Sequence, residues 1–350
     1  MWSPLSGILT GVTESTSFDY LTPDLVIAAV EAFFPIRLDG MVTPYASYVN
    51  RVYGLRTDDG DEYVAKFYRP GRWNRESILE EHRFLSELSA ADVPVVAPLG
   101  DDDGDTLFEV EAEVEGEVEG GEDVTGGTDE PIYPFALFHK RGGRGFDAES
   151  DEDWMRLGSL VGRVHLVGEQ ADAPNRRVVD PDLWIRPFVT ELVDDGVVHP
   201  DFSEEFQTLA MDGLDRITPL LNGVRRIRLH GDCHRGNILE RGDEGLLLID
   251  FDDMMTGPAV QDLWLLLPDH ADECRREITM MLEGYEQFRP FDRRELQAIE
   301  GLRFMRMIHF LAWRARQRHD HWFARQFPDW GNRAFWLREV EDMKEQSRHF

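Results

Sequence analysis

The residues whose types and spacing could do chemistry fall close together in the chain. Leu229-His230-Gly231-Asp232-Cys233-His234-Arg235-Gly236-Asn237-Ile238-Leu239 places an Asp two residues after a His and an Asn five residues after that Asp. Leu246-Leu247-Leu248-Ile249 then runs directly into Asp250. Phosphoryl transfer needs this set: one carboxylate to take a hydroxyl proton, and an Asn and a second Asp to hold magnesium. Magnesium prefers hard oxygen ligands and keeps several waters, so one carboxylate, one amide oxygen and phosphates suffice. The proton acceptor has to lie near the hydroxyl and off the metal, which calls for a third oxygen group. Asp250 follows an apolar strand-like run, so it emerges at a strand end.

Two competing readings of the same segment are weaker. His230 and His234 are four apart, but the glycines at 231 and 236 argue against a helix presenting both to zinc. Cys233 reads as a small buried side chain, since no separate base for a thiol is evident.

A loop of this kind needs a cation for the nucleotide phosphates. The chain has only three lysines, Lys66, Lys140 and Lys344, and Lys66 sits inside the apolar run Val64-Ala65-Lys66-Phe67-Tyr68. An edge-strand lysine facing water is the plain alternative. A helical Glu should pair with it. Over Trp73–Ala90, helical phase puts Glu81 on the face of Ile78, Leu85 and Leu88, and Glu80 with Phe84 and Glu87 on a more polar side. Before Lys66, Thr43–Tyr53 holds no G-x-G-x-x-G; Ser47 and nearby backbone N–H groups remain as phosphate donors.

The elements that must position these groups divide in two. Ser47–Arg56 and Glu62–Tyr68 flank the turn Thr57-Asp58-Asp59-Gly60 and predict a hairpin. Residues 101–130 are acidic with no lysine or arginine, and Phe108–Val118 alternates apolar with acidic residues, as an exposed hairpin or a mobile excursion would. Ile132–Phe138 suits a buried strand, and His139–Gly145 a hinge. Beyond it, Trp154–Val167, Ala259–Leu267 and Arg303–Gln317 read as helices, with strands at Arg226–Leu229 and Leu246–Ile249. In the helix Arg303–Gln317, Arg306, His309 and Trp313 share a spacing that could line an acceptor cleft. The preferred reading is structural: Phe304, Ile308 and Leu311 form a core face and the polar residues are solvated. The expected architecture is α+β and two-lobed, with residues 1–138 strand-rich and 139–350 mainly helical.

Composition narrows the class. The 350 residues carry 68 acidic and 37 basic side chains, a net charge of -31 that opposes nucleic acid and anionic membranes. No apolar run approaches a membrane span, and Met1–Tyr20 does not read as a secretory signal. Two cysteines, Cys233 and Cys274, make no disulfide framework, so a cytoplasmic location is expected.

HGDCHRGNIL, LIDFDD and TGPAVQDLWLLL resemble the aminoglycoside phosphotransferase and choline kinase group. ASYVNRVYGL, EYVAKFYRPGRW, ILEEH and LAWRAR are more closely similar to the bacterial stress-response kinases within it, which are serine/threonine protein kinases. The match runs in order from about Ser47 to Arg316. It implies a protein-kinase-like fold, with an antiparallel-sheet N-lobe and a helical C-lobe. It implies Asp232 as the proton acceptor, Asn237 and Asp250 as magnesium ligands with Asp250 counted as catalytic too, and Ser47, Lys66 and Glu81 at the ATP phosphates. Phe138–Lys140 falls where backbone groups meet adenine, and Asp262 supports the catalytic loop. Mg²⁺ and ATP are the implied cofactor and co-substrate, protein Ser/Thr hydroxyls the acceptor, and a monomer the expected form. A small alcohol as acceptor is the alternative, and a pseudokinase a third reading that the full set of transfer groups disfavours. The acidic stretch and the turn Arg241–Gly245 look longer than the family pattern. No activation segment ending in A-P-E follows Asp253, so control by activation-loop phosphorylation is not expected.

Overall fold

A computed structural model of the chain describes residues 18–47, 49–112, 131–318 and 323–350. They form two compact units: the chain up to Ser89 with Val95–Gly142, and Ala90–Pro94 with Gly143–Phe350. No helix among the described residues is long and apolar enough to cross a membrane.

The first unit is a five-stranded antiparallel sheet in the order β1-β2-β3-β5-β4, from β1 (Leu38–Tyr45), β2 (Arg51–Thr57), β3 (Glu62–Phe67), β4 (Phe108–Glu111) and β5 (Ile132–His139). The β2–β3 hairpin forms as its turn residues predict: Gly60 adopts φ +95°, which a side chain would resist, and its N–H reaches Thr57 O at 3.0 Å. The strand begins at Arg51, so Ser47 lies in the connection from β1 rather than in the strand. Of the stretch Phe108–Val118, expected as an exposed hairpin or a mobile excursion, residues Phe108–Glu111 are an ordered edge strand paired with β5, and Phe108 is buried against Phe135 (centroids 5.6 Å apart). The rest of the acidic stretch, 113–130, lies outside the described residues.

Helix α1 (Pro23–Phe33) has Pro in its first turn and Thr22 as its cap, the hydroxyl accepting from Leu25 N at 3.2 Å. Helix α2 (Arg75–Ala90) buries Ile78, Leu85 and Leu88 as expected, and also Glu80 and Phe84. The expected polar side is therefore narrower than helical phase alone implies, because the unit packs on more than one stripe of this helix.

In the second unit, α3 (Asp151–Gly168) starts with a capping box between Ser150 and Asp153. Strands β6 (Arg144–Gly145), β8 (Ile238–Glu240) and β9 (Leu246–Leu248) form one small sheet, and β7 (Ile227–Leu229) pairs with β10 (Met255–Gly257). The helices are α4 (Arg186–Asp194), α5 (Ser203–Ile217), α6 (Val260–Trp264), α7 (Arg275–Tyr285), α8 (Ile299–Arg316), α9 (Phe323–Gln326) and α10 (Arg333–Gln346). Helix α6 is shorter than the Ala259–Leu267 expected from its apolar run. Helices α3 and α7 approach until glycine is required: a Cβ on Gly158 would lie 1.8 Å from Met281 O.

Candidate active site

The segment from His230 to Asn237 joins β7 to β8, and Asp250 follows β9, so short buried strands hold both ends of the chemistry-bearing loop. Gly231 sits at φ +88°, and a Cβ there would fall 2.0 Å from Asp253 O, so only glycine permits this turn. The Asp262 carboxylate accepts from His230 N and Gly231 N, each at 2.8 Å, and from His165 Nε2 at 3.0 Å. Tyr285 donates to His165 Nδ1 (3.0 Å) and accepts from Arg289 (2.8 Å). Burial drives the His165 imidazole below its ordinary pKa despite the Asp262 charge, so it is a neutral donor to that carboxylate.

His230 is spent on the same task. Its Nδ1 accepts from Asp232 N at 3.2 Å, which leaves the proton on Nε2 to reach Ile249 O at 2.9 Å. The imidazole thus ties the residue before Asp250 to Asp232. Among the described residues no cluster of three or more His, Cys, Asp or Glu could hold a metal ion. Cys233 is fully buried, and burial pushes its thiol well up, which suits packing rather than nucleophilic attack.

Asp232 itself is partly exposed. Its Oδ1 accepts from Arg306 Nη2 at 2.8 Å, and His234 Nε2 faces Oδ2 at 3.4 Å. Burial raises this carboxyl, but the His234 hydrogen bond and the Arg306 charge outweigh it and hold the group well below the usual carboxylate range. Asn237 donates its amide N–H to Asp232 O at 2.9 Å, so Oδ1 is the atom left for a cation. Asp250 is exposed and holds the left-handed conformation (φ 66°, ψ 68°), uncommon for a residue with a Cβ and concentrated at functional sites. An amide oxygen and an exposed carboxylate are hard donors, so this pair fits a divalent cation such as magnesium. The turn after Asp250 is held by buried Arg176, which donates to Met254 O at 2.8 Å and to Asp252 O.

In the first unit, Lys66 Nζ lies 3.2 Å from Glu81 Oε1, with side-chain exposures of 12% and 1%. Tyr68 Oη donates to the same oxygen at 3.4 Å and lies 2.8 Å from His82 Nε2, and His82 Nδ1 meets Thr106 Oγ1 at 2.8 Å. Ser47 is half-buried in the connection between β1 and β2, where Arg69 bonds Asn50 Oδ1 (3.1 Å) and Val49 O (2.9 Å).

Reading from sequence missed Arg176, and its preferred account of Arg306 and His309 as solvated polar residues is corrected. Arg306 binds Asp232, while His309 is half-buried with its ring 5.0 Å from Trp184 and 5.7 Å from Phe188. The helical spacing of Arg306 and His309 was the available signal, but nothing local tells a solvated arginine from one that meets a carboxylate 74 residues away.

The profile of the phosphotransferase enzyme family (APH) matches residues 42–299, and the chain belongs to this family. It is a kinase-type phosphotransferase, for which ATP and a divalent metal ion are implied. Stress response kinase A of Escherichia coli (strain K12) is 35% identical over 341 residues, covering 95% of this chain and 94% of that protein. Serine/threonine protein kinase RdoA of Salmonella typhimurium is 34% identical over 95% of this chain and 94% of its own. Among solved structures, an amicoumacin kinase in complex with AMP-PNP, Ca²⁺ and Ami aligns with a TM-score of 0.67 at 18% identity, covering 92% of this chain and 93% of that one. Choline kinase LicA from Streptococcus pneumoniae aligns at 0.62 and 15% identity, over 93% and 99%. These two likenesses establish the kinase-like fold alone.

Proposed function

We propose that this chain is a Mg-ATP-dependent serine/threonine protein kinase acting in a cytoplasmic stress response. Asp232 is the proton acceptor: it emerges from a loop pinned by Asp262 and His230, on the same turn as the amide of Asn237. That geometry carries the reading of the chemistry. The protein acceptor is supported by the names of relatives that match 95% of the chain. The location is supported by Cys233 and Cys274, both buried and unpaired with each other.

In this reading residues 1–138 are the nucleotide-binding part, and residues 139–350 carry the catalytic loop and the acceptor site. Asn237 and Asp250 hold Mg²⁺, which neutralises phosphate charge when bound. Lys66, kept in place by Glu81, pairs with ATP phosphates, Ser47 donates to them, and backbone groups of Phe138–Lys140 meet adenine. Asp232 aligns the hydroxyl and takes its proton as the acceptor oxygen bonds the γ-phosphorus. The bond to the bridging oxygen breaks at the same time, and its electron pair leaves with ADP.

The test is transfer of labelled γ-phosphate from Mg-ATP to the enzyme itself, to a basic and to an acidic protein, at low and high salt, beside Asp232→Asn. The variant should lose about 10²–10⁴-fold in turnover, the span of general-base catalysis, and still bind ATP. Turnover that survives the substitution overturns the role of Asp232. Label on small alcohols alone moves the acceptor to that class.

A further inference from the structure

Arg306 has no part in handling ATP in this scheme, yet it holds the proton acceptor. Its Nη2 lies 2.8 Å from Asp232 Oδ1, and the guanidinium and carboxylate are 37% and 27% exposed, so the pair is open to solvent. Arg306 therefore sets one guanidinium beside the proton acceptor, in a chain of net charge -31 whose overall field attracts cations and repels anions. An acceptor that reaches the Asp232 carboxylate thus also meets this cation.

We propose that Arg306 selects the acceptor by charge, favouring a hydroxyl that carries a carboxylate or phosphate beside it and rejecting one that carries an ammonium group. The inference rests on Asp232 as the proton acceptor. A hydroxyl that gives its proton to this carboxylate arrives within a hydrogen bond's reach of the guanidinium. An anion beside that hydroxyl offers Arg306 a two-point partner, the geometry for which arginine is best suited. An ammonium group meets like charge instead, and like-charge contacts exclude wrong partners more strongly than matched contacts tighten right ones. The acceptor class is thereby narrowed to acidic Ser/Thr segments, and cationic alcohols are disfavoured.

The test uses full-length enzyme with two matched series. One is a serine peptide with Glu, Gln or Lys on both sides of the acceptor; the other is glycerate, glycerol and choline. Each is assayed with wild type, Arg306→Lys and Arg306→Gln. Wild type should favour the anionic member of the series it uses by about tenfold or more in kcat/KM, mostly through KM. Arg306→Gln should bring that ratio to within about twofold, and Arg306→Lys should restore part of it as a point charge without the fork. A wild type that prefers the neutral or cationic member, or a Gln variant that keeps the full ratio, overturns the inference. If only the small alcohols are labelled, the protein-acceptor reading falls while glycerate against choline still decides the role of Arg306. Label retained by Asp232→Asn instead removes the foundation of both, and an enzyme that labels neither series overturns both.

Discussion

The two charged centres of this molecule are held in place in different ways. In the first unit a lysine–glutamate pair is nearly sealed from water, and the surroundings that fix it are side chains: Tyr68 on Glu81, His82 on Tyr68, Thr106 on His82. In the second, Asp232 stays partly open: Arg306 and His234 meet its carboxylate, and the loop that carries it is fixed through backbone groups bound by buried side chains, Asp262 on two N–H groups and His230 on Ile249 O. In the proposed scheme the first pair only has to present a cation, and it can be buried nearly whole. A group that, in the same scheme, exchanges a proton with an incoming hydroxyl needs access, and the loop beneath it supplies much of its precision.

That contrast can be broken most severely at Asp262. Asp262→Ala removes the acceptor of two buried N–H groups and the partner of His165, and should cost about 3–5 kcal/mol. The denaturant midpoint measures it, and a loss under about 1 kcal/mol would show that the loop holds its shape without this carboxylate.

Lys66→Met comes next. It removes the lysine cation from the buried Glu81 carboxylate and should destabilise by about 3 kcal/mol, while Lys66→Met with Glu81→Leu should recover most of that loss and leave ATP affinity low. Chemical denaturation read beside nucleotide binding separates the two effects. Recovery of ATP affinity in the double variant would contradict the phosphate role of Lys66.

The smallest effect is on pH. Burial, with help from the Arg177 charge, pushes His309 down to about 3, so the folded chain keeps it neutral where the unfolded chain binds a proton. Its contribution is complete above an ordinary histidine pKa of about 6.5 and is lost as pH falls from there toward 3. Glu295, pushed up to about 7 by burial, runs the other way: its folded form takes a proton before the unfolded form does, which adds stability as pH falls through 7. His309→Phe isolates the first of these. Relative to the variant, wild type should lose about 1 kcal/mol between pH 7 and pH 5, after allowance for partial exposure. Parallel pH profiles would show that His309 is not buried neutral.

Much of this was legible because local rules apply. Helical phase distinguishes Glu81 from Glu80 as the residue that meets Lys66, and the ion pair forms, although phase did not reveal that Glu80 is buried as well. The turn at Gly60 and the strand ending before Asp250 follow from residue type and alternation. Phe108–Val118 stayed open between an exposed hairpin and a mobile excursion because alternation gives a strand two faces without naming what covers either; at Phe108, β5 and the rings around Phe135 supply the cover. Arg176 gave no signal at all, since its value lies in carbonyls about 76 residues further on.

By itself, then, the sequence determined which groups are available: a carboxylate, an amide and a second carboxylate at fixed spacing, a lysine in an apolar strand, and glycines where the loop turns. Those follow from chemistry and short-range geometry, which a few neighbouring residues settle. Only the tertiary structure decided what each group faces: Asp262 under the loop, Arg176 beneath the turn, Arg306 on Asp232. Such contacts join residues far apart in the chain, and their electrostatic weight depends on burial, which belongs to the packed molecule and to no local stretch of it.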